Sequence, residues 1–477
     1  MKRASLLFLS FLFSTISYSQ AFKIDTVAID SNMYKSAIKV ISDIKIIGNK
    51  TTKSQIIHRE LNFKTNDTLT NTLFIYALEQ SRKNLLNTSL FNFVKIDWAI
   101  IDSIQTQIIV NLQERWYTFP APIFEIDDNN FNTWWKSKDF SRLNYGLQLT
   151  QYNFRGRKEK LSFVAQFGFT ERYILNYDIP YITKNQKGGL SFNFSYNRRD
   201  KIAYASENNK RLEYKNIEGN ALRNYSAGIT YQYRPAIYNT HRLGAAYDFI
   251  SIEDTIRKLN PEYLGNFSRE KQYFSIYYTF THDERDSKNF PLSGMYFQFY
   301  IRKFGLGIFD NDINLTDVQF QLKKFIPLNH RFFLAGGIRG AATSSKDQPY
   351  ILQNGMGYSP AFTLRAYEYY VIDGQNLGIV KAEIKYQIIQ PKEFSLKLIP
   401  LKKFQRFHYS LYGSVFSDVG YIEDKYGFID NKLANDLQYS YGVGLNFVSY
   451  YDIVIRSELS FNKKGESGVF LHFVAPI

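Results

Sequence analysis

The stretch GMYFQFYIRK, residues 294–303, alternates between two kinds of side chain. Successive side chains of a β-strand point to opposite faces. One face of this stretch is apolar and consists of Met295, Phe297, Phe299 and Ile301. The other face consists of Tyr296, Gln298, Tyr300 and Arg302. Because a tilted strand crosses a bilayer with about 9 to 11 residues, the stretch predicts a membrane-spanning strand with a lipid side and an inner side.

The same alternation fills the chain from Trp116 onward, for example in NYGLQLTQY at 144–152. Polar turns separate about 16 such segments, an even number, as single-chain outer-membrane barrels require. A propeller would show an internal repeat of about 40 to 50 residues, and the sequence has none. A β-sandwich would not explain why aromatic residues gather at so many strand ends. We therefore expect residues 116–477 to form an all-β transmembrane barrel of about 16 antiparallel strands, closed because hydrocarbon cannot pair a free edge.

Composition narrows the class of protein. The 477 residues include 37 Tyr and 41 Phe but no Cys, so neither a disulfide framework nor a thiolate metal site can form. The net charge of +15 is scattered among the strands rather than massed on one helix, which argues against nucleic acid as a partner. After the N-terminus, no stretch approaches the roughly 20 apolar residues of a membrane helix.

The N-terminus predicts export from the cytoplasm. MKRASLLFLSFLFSTISYSQ has Lys2 and Arg3, then an apolar run from Leu6 to Ile16, then small residues at cleavage-site spacing. That order is typical of a secretory signal peptide, and the apolar run is too short to span a bilayer. We assign residues 1–19 to a signal peptide and exclude them from the fold.

Residues 40–115 follow a different rhythm, β-α-α-β-β. A strand ends at a Gly48-Asn49 turn, two stretches with helical spacing follow, and two alternating stretches close the unit as a hairpin. Thr51 or Thr52 is the expected N-cap of the first helix. This order predicts a small α+β domain ahead of the barrel.

Four motifs, in this order, resemble those of the BamA/TamA-type outer-membrane assembly factors, also called the bacterial surface antigen family. The 40–115 unit looks like a POTRA domain, a resemblance carried by Gly48, Asn49, Phe91 and Val94. THDERDSKNFPLSGMYFQF at 281–299 resembles the turn before a barrel strand of that family. We call its key residues the turn motif: Asp283, Arg285, Asp286, Pro291 and Gly294.

The other two motifs lie near the C-terminus. LRAY, which comprises Leu364, Arg365, Ala366 and Tyr367, stands where the family has V-R-G-[FY], so Ala366 departs from the pattern. FSDVG at 416–420 matches F-x-D-x-G. The resemblance implies that the long loop 343–374 folds into the barrel and that its arginine contacts the inner wall.

Strand parity identifies the carboxylates that this arginine would meet. Period 2 places Glu383 and Asp418 on the polar, inward faces of two successive strands. We call Arg365 with these two carboxylates the loop lock. In a water-filled lumen the pair would be partly solvated and worth about 1 kcal/mol, and more if the aromatic residues around it exclude water. The charged residues of the turn motif are read instead as a structural cluster that shapes the start of a strand.

The sequence predicts no enzyme. Its six histidines lack metal-ligand spacing, and neither a G-x-S-x-G motif nor a phosphate-binding loop is present. We therefore expect no catalytic residue, no metal and no cofactor.

Two functions remain open on this basis. The first is an insertion factor in the outer membrane, with its POTRA-like domain in the periplasm. It would capture unfolded outer-membrane proteins by strand addition and insert them into lipid at the barrel seam. The alternative is a translocator that exports one dedicated client through the lumen. Outer-membrane lipid is an expected partner in both cases, and accessory lipoproteins are left open. A passive porin would give the POTRA-like domain no task.

Overall fold

The computed structural model describes residues 38–474, with gaps at 103, 127–137, 139–142, 184, 217–218, 310–312, 345–347, 358–361, 396–405, 426–430 and 450–452. The proposed signal peptide, residues 1–19, lies outside the described residues. Within the described ranges, no helix is long and apolar enough to cross a membrane.

The N-terminal unit is a four-stranded sheet covered by two helices. Its elements are β1 (Ile38–Ile47), α1 (Ser54–His58), β2 (Thr68–Thr70), α2 (Asn71–Asn87), β3 (Phe91–Ile100) and β4 (Gln105–Glu114). The sheet order is β2-β1-β4-β3, with β1 parallel to β4 and the other pairs antiparallel. The expected α+β unit is confirmed, and β2 adds a short edge strand.

Alternation along β4 and helical spacing along α2 build the core of this unit. Ile108 and Val110 of β4 are buried, and Phe74, Leu78 and Leu85 of α2 pack against them. Burying a side chain of this size contributes roughly 1.5–3 kcal/mol relative to leaving it exposed. The unit therefore has a hydrophobic core of its own.

The first helix begins later than the sequence predicted. The expectation of an N-cap at Thr51 or Thr52 is wrong, since α1 starts at Ser54 and Lys53 takes the cap position without a side-chain bond. The backbone N–H groups of Thr51 and Thr52 donate instead to the buried carboxylate of Glu114, at 3.1 and 2.6 Å. A charged acceptor bonds more strongly than a hydroxyl, so β4 holds this turn.

The rest of the chain supplies a single antiparallel sheet of 16 strands, so the expected number is confirmed. In chain order the strands after β4 are β5 (Thr118–Ile126), β6 (Leu143–Phe154), β7 (Glu159–Gly168), β8 (Thr170–Ile179), β9 (Gly188–Arg199), β10 (Lys201–Glu207), β11 (Lys210–Lys215), β12 (Leu222–Tyr233), β13 (Asn239–Ile252), β14 (Glu270–Asp283), β15 (Gly294–Phe304), β16 (Leu315–Pro327), β17 (Phe332–Thr343), β18 (Asn354–Gly357), β19 (Val371–Gly374), β20 (Asn376–Ser395), β21 (Arg406–Glu423), β22 (Gln438–Ser449), β23 (Val454–Asn462) and β24 (Ser467–Val474). The pairs β10–β11 and β18–β19 are separate hairpins, and α3 (Asp254–Leu259) follows β13.

Burial separates the two faces of the barrel strands. On β20, Val380 and Ile384 are exposed, while Lys385 is buried and Glu383 is nearly so. On β21, Val415 is exposed. Apolar side chains therefore face lipid and polar side chains face the lumen, as the alternation predicted.

The loop between β17 and β20 folds against the inner wall. It contains a 3-10 helix (Tyr350–Leu352) and the β18–β19 hairpin. Its apolar side chains form a buried cluster with the wall residues Ile379 of β20 and Ile422 of β21. The cluster includes Met356, Phe362, Leu364, Tyr367 and Ile372 from the loop. The aromatic content of this segment is thus accounted for by packing inside the barrel.

The sheet has two ends, β5 and β24, which we call the seam. In the described part of the chain, no backbone ladder joins these two strands. Strand β5 pairs with β6 from Thr118 to Ile126 without a register shift, although it contains Pro120 and Pro122. Because proline lacks an N–H and alternate residues bond to opposite neighbours, both prolines turn their nitrogen toward the seam.

Candidate functional site

The loop lock lies where the loop meets the inner wall. The Nε of Arg365 donates to Oδ2 of Asp418 at 2.8 Å, and a second guanidinium nitrogen bonds Oδ1 of the same carboxylate. The backbone N–H of Arg365 also donates to Oδ2, at 3.4 Å. The structure thus brings Arg365 and Asp418 together in a two-pronged ion pair whose side chains are 7% and 0% exposed.

Two more carboxylates face the same guanidinium. A nitrogen of Arg365 lies 3.8 Å from Oε2 of Glu383 and 3.5 Å from Oε1 of Glu458. Glu458, on β23, was not predicted. Arg456, Glu458 and Ser460 alternate with Ile455, Ser457, Leu459 and Phe461, three of which are apolar, so parity was sufficient to place Glu458 on the inward face.

Phe416 completes the surroundings of the arginine. Its ring lies two residues before Asp418 on β21, and the guanidinium carbon of Arg365 stands 3.7 Å from the ring centre. An aromatic face attracts a cation and excludes water from it. Phe416 and Asp418 are the first and third residues of the FSDVG motif, and both contact the arginine.

Close packing requires glycine at the last position of that motif, Gly420. A Cβ added at Gly420 would lie 2.5 Å from the sulfur of Met356 and 3.3 Å from a methyl group of Leu364. Only a residue without a side chain lets the loop approach the wall so closely. Leu364 is fully buried there.

The loop backbone at Ala366 is held in the left-handed region, with φ at 65°. Asn462 of β23 donates to the carbonyl oxygen of Ala366 at 3.3 Å. The Tyr367 hydroxyl donates to Gln438 of β22 at 3.0 Å and accepts from the backbone N–H of Lys463 at 3.1 Å. A glycine would adopt this φ without strain, which explains the residue that the family carries at this position.

The loop also reaches the last strand. Glu368 lies 3.1 Å from Nε2 of His472 on β24, and that nitrogen is 3.3 Å from Glu458. The rings of Tyr369 and Phe470 of β24 are 5.3 Å apart. Residues 365–369 of the loop therefore contact strands on the β24 side of the seam.

The turn motif forms a compact cluster at the start of β15. Arg285 donates twice to Asp283, at 2.7 Å each. Oδ1 of Asp286 accepts from the backbone N–H groups of Leu292 and Ser293, at 3.0 and 3.1 Å. Gly294 has a φ of 102°, and a Cβ there would lie 2.3 Å from the carbonyl oxygen of Glu284.

The same turn projects into the lumen. Pro291 lines the lumenal cavity, and the neighbouring ring of Phe290 packs 4.8 Å from the ring of Tyr412 on β21. No hydrogen bond or ion pair joins Asp283, Arg285 or Asp286 to the loop lock among the described residues.

The POTRA motif residues serve the fold of the N-terminal unit. Gly48 has a φ of 95°, and a Cβ there would meet the carbonyl oxygen of Leu112 at 2.0 Å. The Asn49 amide donates to the carbonyl oxygen of Thr52 at 3.1 Å. Phe91 and Val94 are buried in the core.

An unpredicted contact joins this unit to the barrel through Glu60, which follows α1. Its buried carboxylate accepts from Arg234 at 2.7 and 3.1 Å and lies 3.7 Å from Nζ of Lys158. Arg234 belongs to the β12–β13 turn and Lys158 to the β6–β7 turn. Burial alone would raise the pKa of Glu60, but Lys158 and Arg234 lower it to about 2.

Further hydrogen bonds strengthen this docking. Asn153 donates to the Thr52 hydroxyl at 2.9 Å, and the backbone N–H of Lys53 donates to the carbonyl oxygen of Gly156 at 3.0 Å. Asn87 of α2 donates to the carbonyl oxygen of Arg285 at 3.1 Å. The unit is thus fixed to three turns at one end of the barrel. Neither it nor the described barrel contains a group of three metal-binding side chains.

Comparison with known proteins assigns the family. The model of the Omp85 superfamily domain matches residues 153–449, and the POTRA model, a surface antigen variable number repeat, matches residues 39–115. Among solved structures, BamA from Haemophilus ducreyi lacking POTRA domains 1–3 is similar, with a TM-score of 0.52 and 17% identity over 91% of this chain and 84% of that chain. CdiB from Escherichia coli gives a TM-score of 0.52 and 11% identity over 91% and 75%. No curated protein matches the chain.

At these identities the solved structures show the shared fold alone, and the family models carry the assignment. Omp85 proteins are non-enzymatic assembly or transport proteins that act on outer-membrane clients, with their barrels in the outer membrane and their POTRA domains in the periplasm. The Omp85 model covers more than half of the 477 residues. The predicted resemblance is therefore confirmed: the chain belongs to the Omp85 superfamily, as an outer-membrane β-barrel protein with a POTRA domain.

Proposed function

We propose that this protein inserts other β-barrel proteins into the outer membrane. Residues 40–115 would capture unfolded clients in the periplasm, and residues 116–477 would release them into lipid at the seam. Residues 1–19 would direct export. Accessory lipoproteins are further candidate partners, and the proposed activity requires no catalytic residue, metal or cofactor.

The observation that carries the proposal is the chemistry of the seam. Pro120 and Pro122 remove two N–H donors from the edge that β5 turns toward β24. Strand β24 has only 8 residues, whereas β20 has 20. Each missing ladder bond lowers the cost of separating the two strands. A weak seam leaves an edge on which an incoming strand can pair.

The N-terminal unit offers an edge for the capture step. Its strand β3 has 10 residues and ends the sheet, whereas the opposite end is β2, with only 3 residues. An extended peptide adds to such an edge through main-chain hydrogen bonds, so the affinity depends little on the client sequence. That suits a factor with many clients.

The loop lock would keep the C-terminal half of the barrel in one arrangement while the seam opens. Arg365 and its neighbours bind β21 to β24 from inside, so these strands are tied together independently of β5. The role of Leu364, Ala366 and Tyr367 in this proposal is to pack the loop against the wall.

A depletion experiment separates the proposal from its alternative. Depleting an insertion factor lowers the amounts of many barrel proteins in the outer membrane at once. Depleting a translocator leaves one client in the periplasm and the other barrels unchanged. Quantitative proteomics of the outer-membrane and periplasmic fractions measures both. If only one client accumulated in the periplasm and the other barrel proteins were unchanged, the insertion proposal would be refuted.

A cross-linking experiment tests the seam directly, since the chain has no native cysteine. One cysteine in β5 and one in β24, oxidised to a disulfide, should stop client insertion, and reduction should restore it. The matched control is Ser457→Cys with Leu471→Cys, two directly opposite residues of β23 and β24. This control disulfide should leave insertion unchanged, because those strands need not part.

A further inference from the structure

A cavity of about 560 Å³ in the barrel lumen has an excess of positive charge. Eight Lys or Arg side chains and one His line it, against two Glu side chains among the described residues. Both glutamates, Glu383 and Glu458, already face Arg365 of the loop lock. Five of these nine cations have an ion pair with a carboxylate, and among the described residues the other four have none. Those four are Lys288, Lys323, Arg339 and Lys385.

Lys323 of β16 and Arg339 of β17 show the imbalance most clearly. Within the described residues, neither forms an ion pair. Nζ of Lys323 stands 5.9 Å from the ring centre of Tyr296, and the guanidinium carbon of Arg339 stands 4.5 Å from the ring centre of Phe362. A ring face offsets part of a cation's charge but supplies no hydrogen-bond acceptor of carboxylate strength.

The strand register places a third cation beside them. Lys323 lies directly opposite Gly337 of β17, and Gly337 lies directly opposite Lys381 of β20. Neighbouring strands are about 4.8 Å apart, so roughly 10 Å separates the two lysine backbones. The residue between them has no side chain, and a Cβ there would lie 3.3 Å from Cγ of Lys323.

Arg339 points to the same side of β17 as Gly337, two residues further along the strand. Three cationic side chains therefore surround a gap above a glycine. We call Lys323, Arg339 and Lys381 the cationic niche. Lys381 lies 3.6 Å from Asp418, but that carboxylate is already bound by both prongs of Arg365.

We propose that the cationic niche binds a phosphate group. Like charges gathered in an enclosed space repel one another, and a bound anion removes that repulsion. Phosphate suits the niche better than a carboxylate does, because it carries more charge and offers oxygens to an arginine fork and two ammonium groups together. The ligand class is a phosphorylated small molecule or the phosphorylated headgroup of a lipid.

The cavity lies next to the seam. His472 and Phe473 of β24 line it, so it extends to the strand that borders the seam. Lys288, in the turn between β14 and β15, also lines it. The proposal stands whether the protein inserts clients or exports them.

Calorimetric titration of the full-length protein in detergent with inorganic pyrophosphate tests the niche. Wild type should bind saturably, and acetate should not bind. The double variant Lys323→Gln with Arg339→Gln should weaken binding at least tenfold. The matched control is Lys324→Gln, the next residue of the same strand, which is exposed and lies opposite Met295 on the outer face. That control should bind as wild type does.

Folding of the variants is checked on the same samples. The double variant should remain heat-modifiable on gels and, in phosphate-free buffer, should melt at or above the wild-type temperature, because repulsion has been removed. Pyrophosphate should raise the melting temperature of wild type and not that of the double variant. Wild type that fails to bind pyrophosphate, or a Lys324→Gln variant weakened as much as the double variant, would overturn the proposal.

A competition identifies the source of the phosphate. Pyrophosphate binding is measured on protein in nanodiscs that contain phosphatidic acid or only phosphatidylcholine. Weaker binding in the presence of phosphatidic acid supports a lipid headgroup as occupant. Equal binding in both lipids supports a soluble phosphorylated ligand. Loss of pyrophosphate binding in both lipids, with binding retained only in detergent, would overturn the proposal that the niche binds phosphate.

Discussion

Replacing Arg365 by alanine should destabilise the barrel far more than removal of a solvated ion pair would. The sequence predicted about 1 kcal/mol for a partly solvated pair, and more if the surrounding aromatic residues exclude water. The larger value applies, because the two side chains are 7% and 0% exposed and the ring of Phe416 covers the guanidinium. Breaking a buried pair by removing one partner costs about 3–5 kcal/mol. Since Nζ of Lys381 stays 3.6 Å from Asp418, we expect the lower end, about 3 kcal/mol.

Urea titration of the folded band on unboiled gels measures this loss. The matched control is Arg242→Ala, an exposed arginine whose side chain bonds only the neutral Gln232 among the described residues. That change should cost no more than about 0.5 kcal/mol. Arg365→Ala combined with Asp418→Ala should cost less than the sum of the two single changes, because the residues are in contact.

Charge reversal and chemical labelling test the geometry. Arg365→Glu should abolish function, because the new carboxylate would face Glu383 and Glu458, which are 3.8 and 3.5 Å from the native guanidinium. Adding Asp418→Arg should restore function only in part for the same reason. The reasoning is refuted if Arg365→Ala destabilises no more than Arg242→Ala. It is equally refuted if Arg365→Cys is labelled from outside the cell as readily as Phe267→Cys in an exposed loop.

Three further predictions concern the domain contact and the loop backbone. Glu60 has a pKa of about 2 when docked against an ordinary value of 4.5, so its contribution to docking should be complete above pH 4.5 and lost as the pH falls toward 2. Glu60→Gln should expose residues 115–117 to protease at neutral pH, and its difference from wild type should vanish near pH 2. Ala366→Gly should raise the free energy of unfolding of the loop by about 1 kcal/mol because φ is 65°, whereas Ala366→Val should lower it, both measured by urea titration. Deleting residues 40–115 should leave a heat-modifiable barrel in the outer membrane with no insertion activity, and retained activity would exclude client capture by that unit.

Strand alternation was sufficient to predict most of the barrel and the inward position of Asp418 and Glu383. Each of those predictions depends on one strand at a time, and a period of 2 is a property of the strand itself. Glu458 obeys the same rule, yet no family motif directed attention to it. Parity identifies inward residues, but only the folded loop shows which of them the arginine meets.

Contacts between separate units could not be predicted in this way. Glu60 follows α1 and binds turns that lie 98 and 174 residues away in the chain, a distance over which the local sequence pattern carries no information. The sequence analysis did not single out Pro120 and Pro122. Whether their missing N–H groups weaken a strand pair depends on which edge of β5 is free, and the sequence does not show that. The cationic niche likewise depends on the register of β16, β17 and β20, and a single strand carries no information about register.

The POTRA domain and the loop between β17 and β20 contact different parts of the barrel wall. The POTRA domain holds turns on the β6 to β13 side, through Lys158 and Arg234. The loop holds β21 to β24, through Asp418 and His472. The seam lies between these two parts of the wall. The loop also bonds the segment after α3, since the backbone N–H groups of Tyr350 and Ile351 donate to the carbonyl oxygens of Glu262 and Tyr263, so opening the seam would strain those contacts. The strands between the two parts would have to bend as the seam opens. Among them, β17 contains Gly336, Gly337 and Gly340, which have no side chains to oppose the bend.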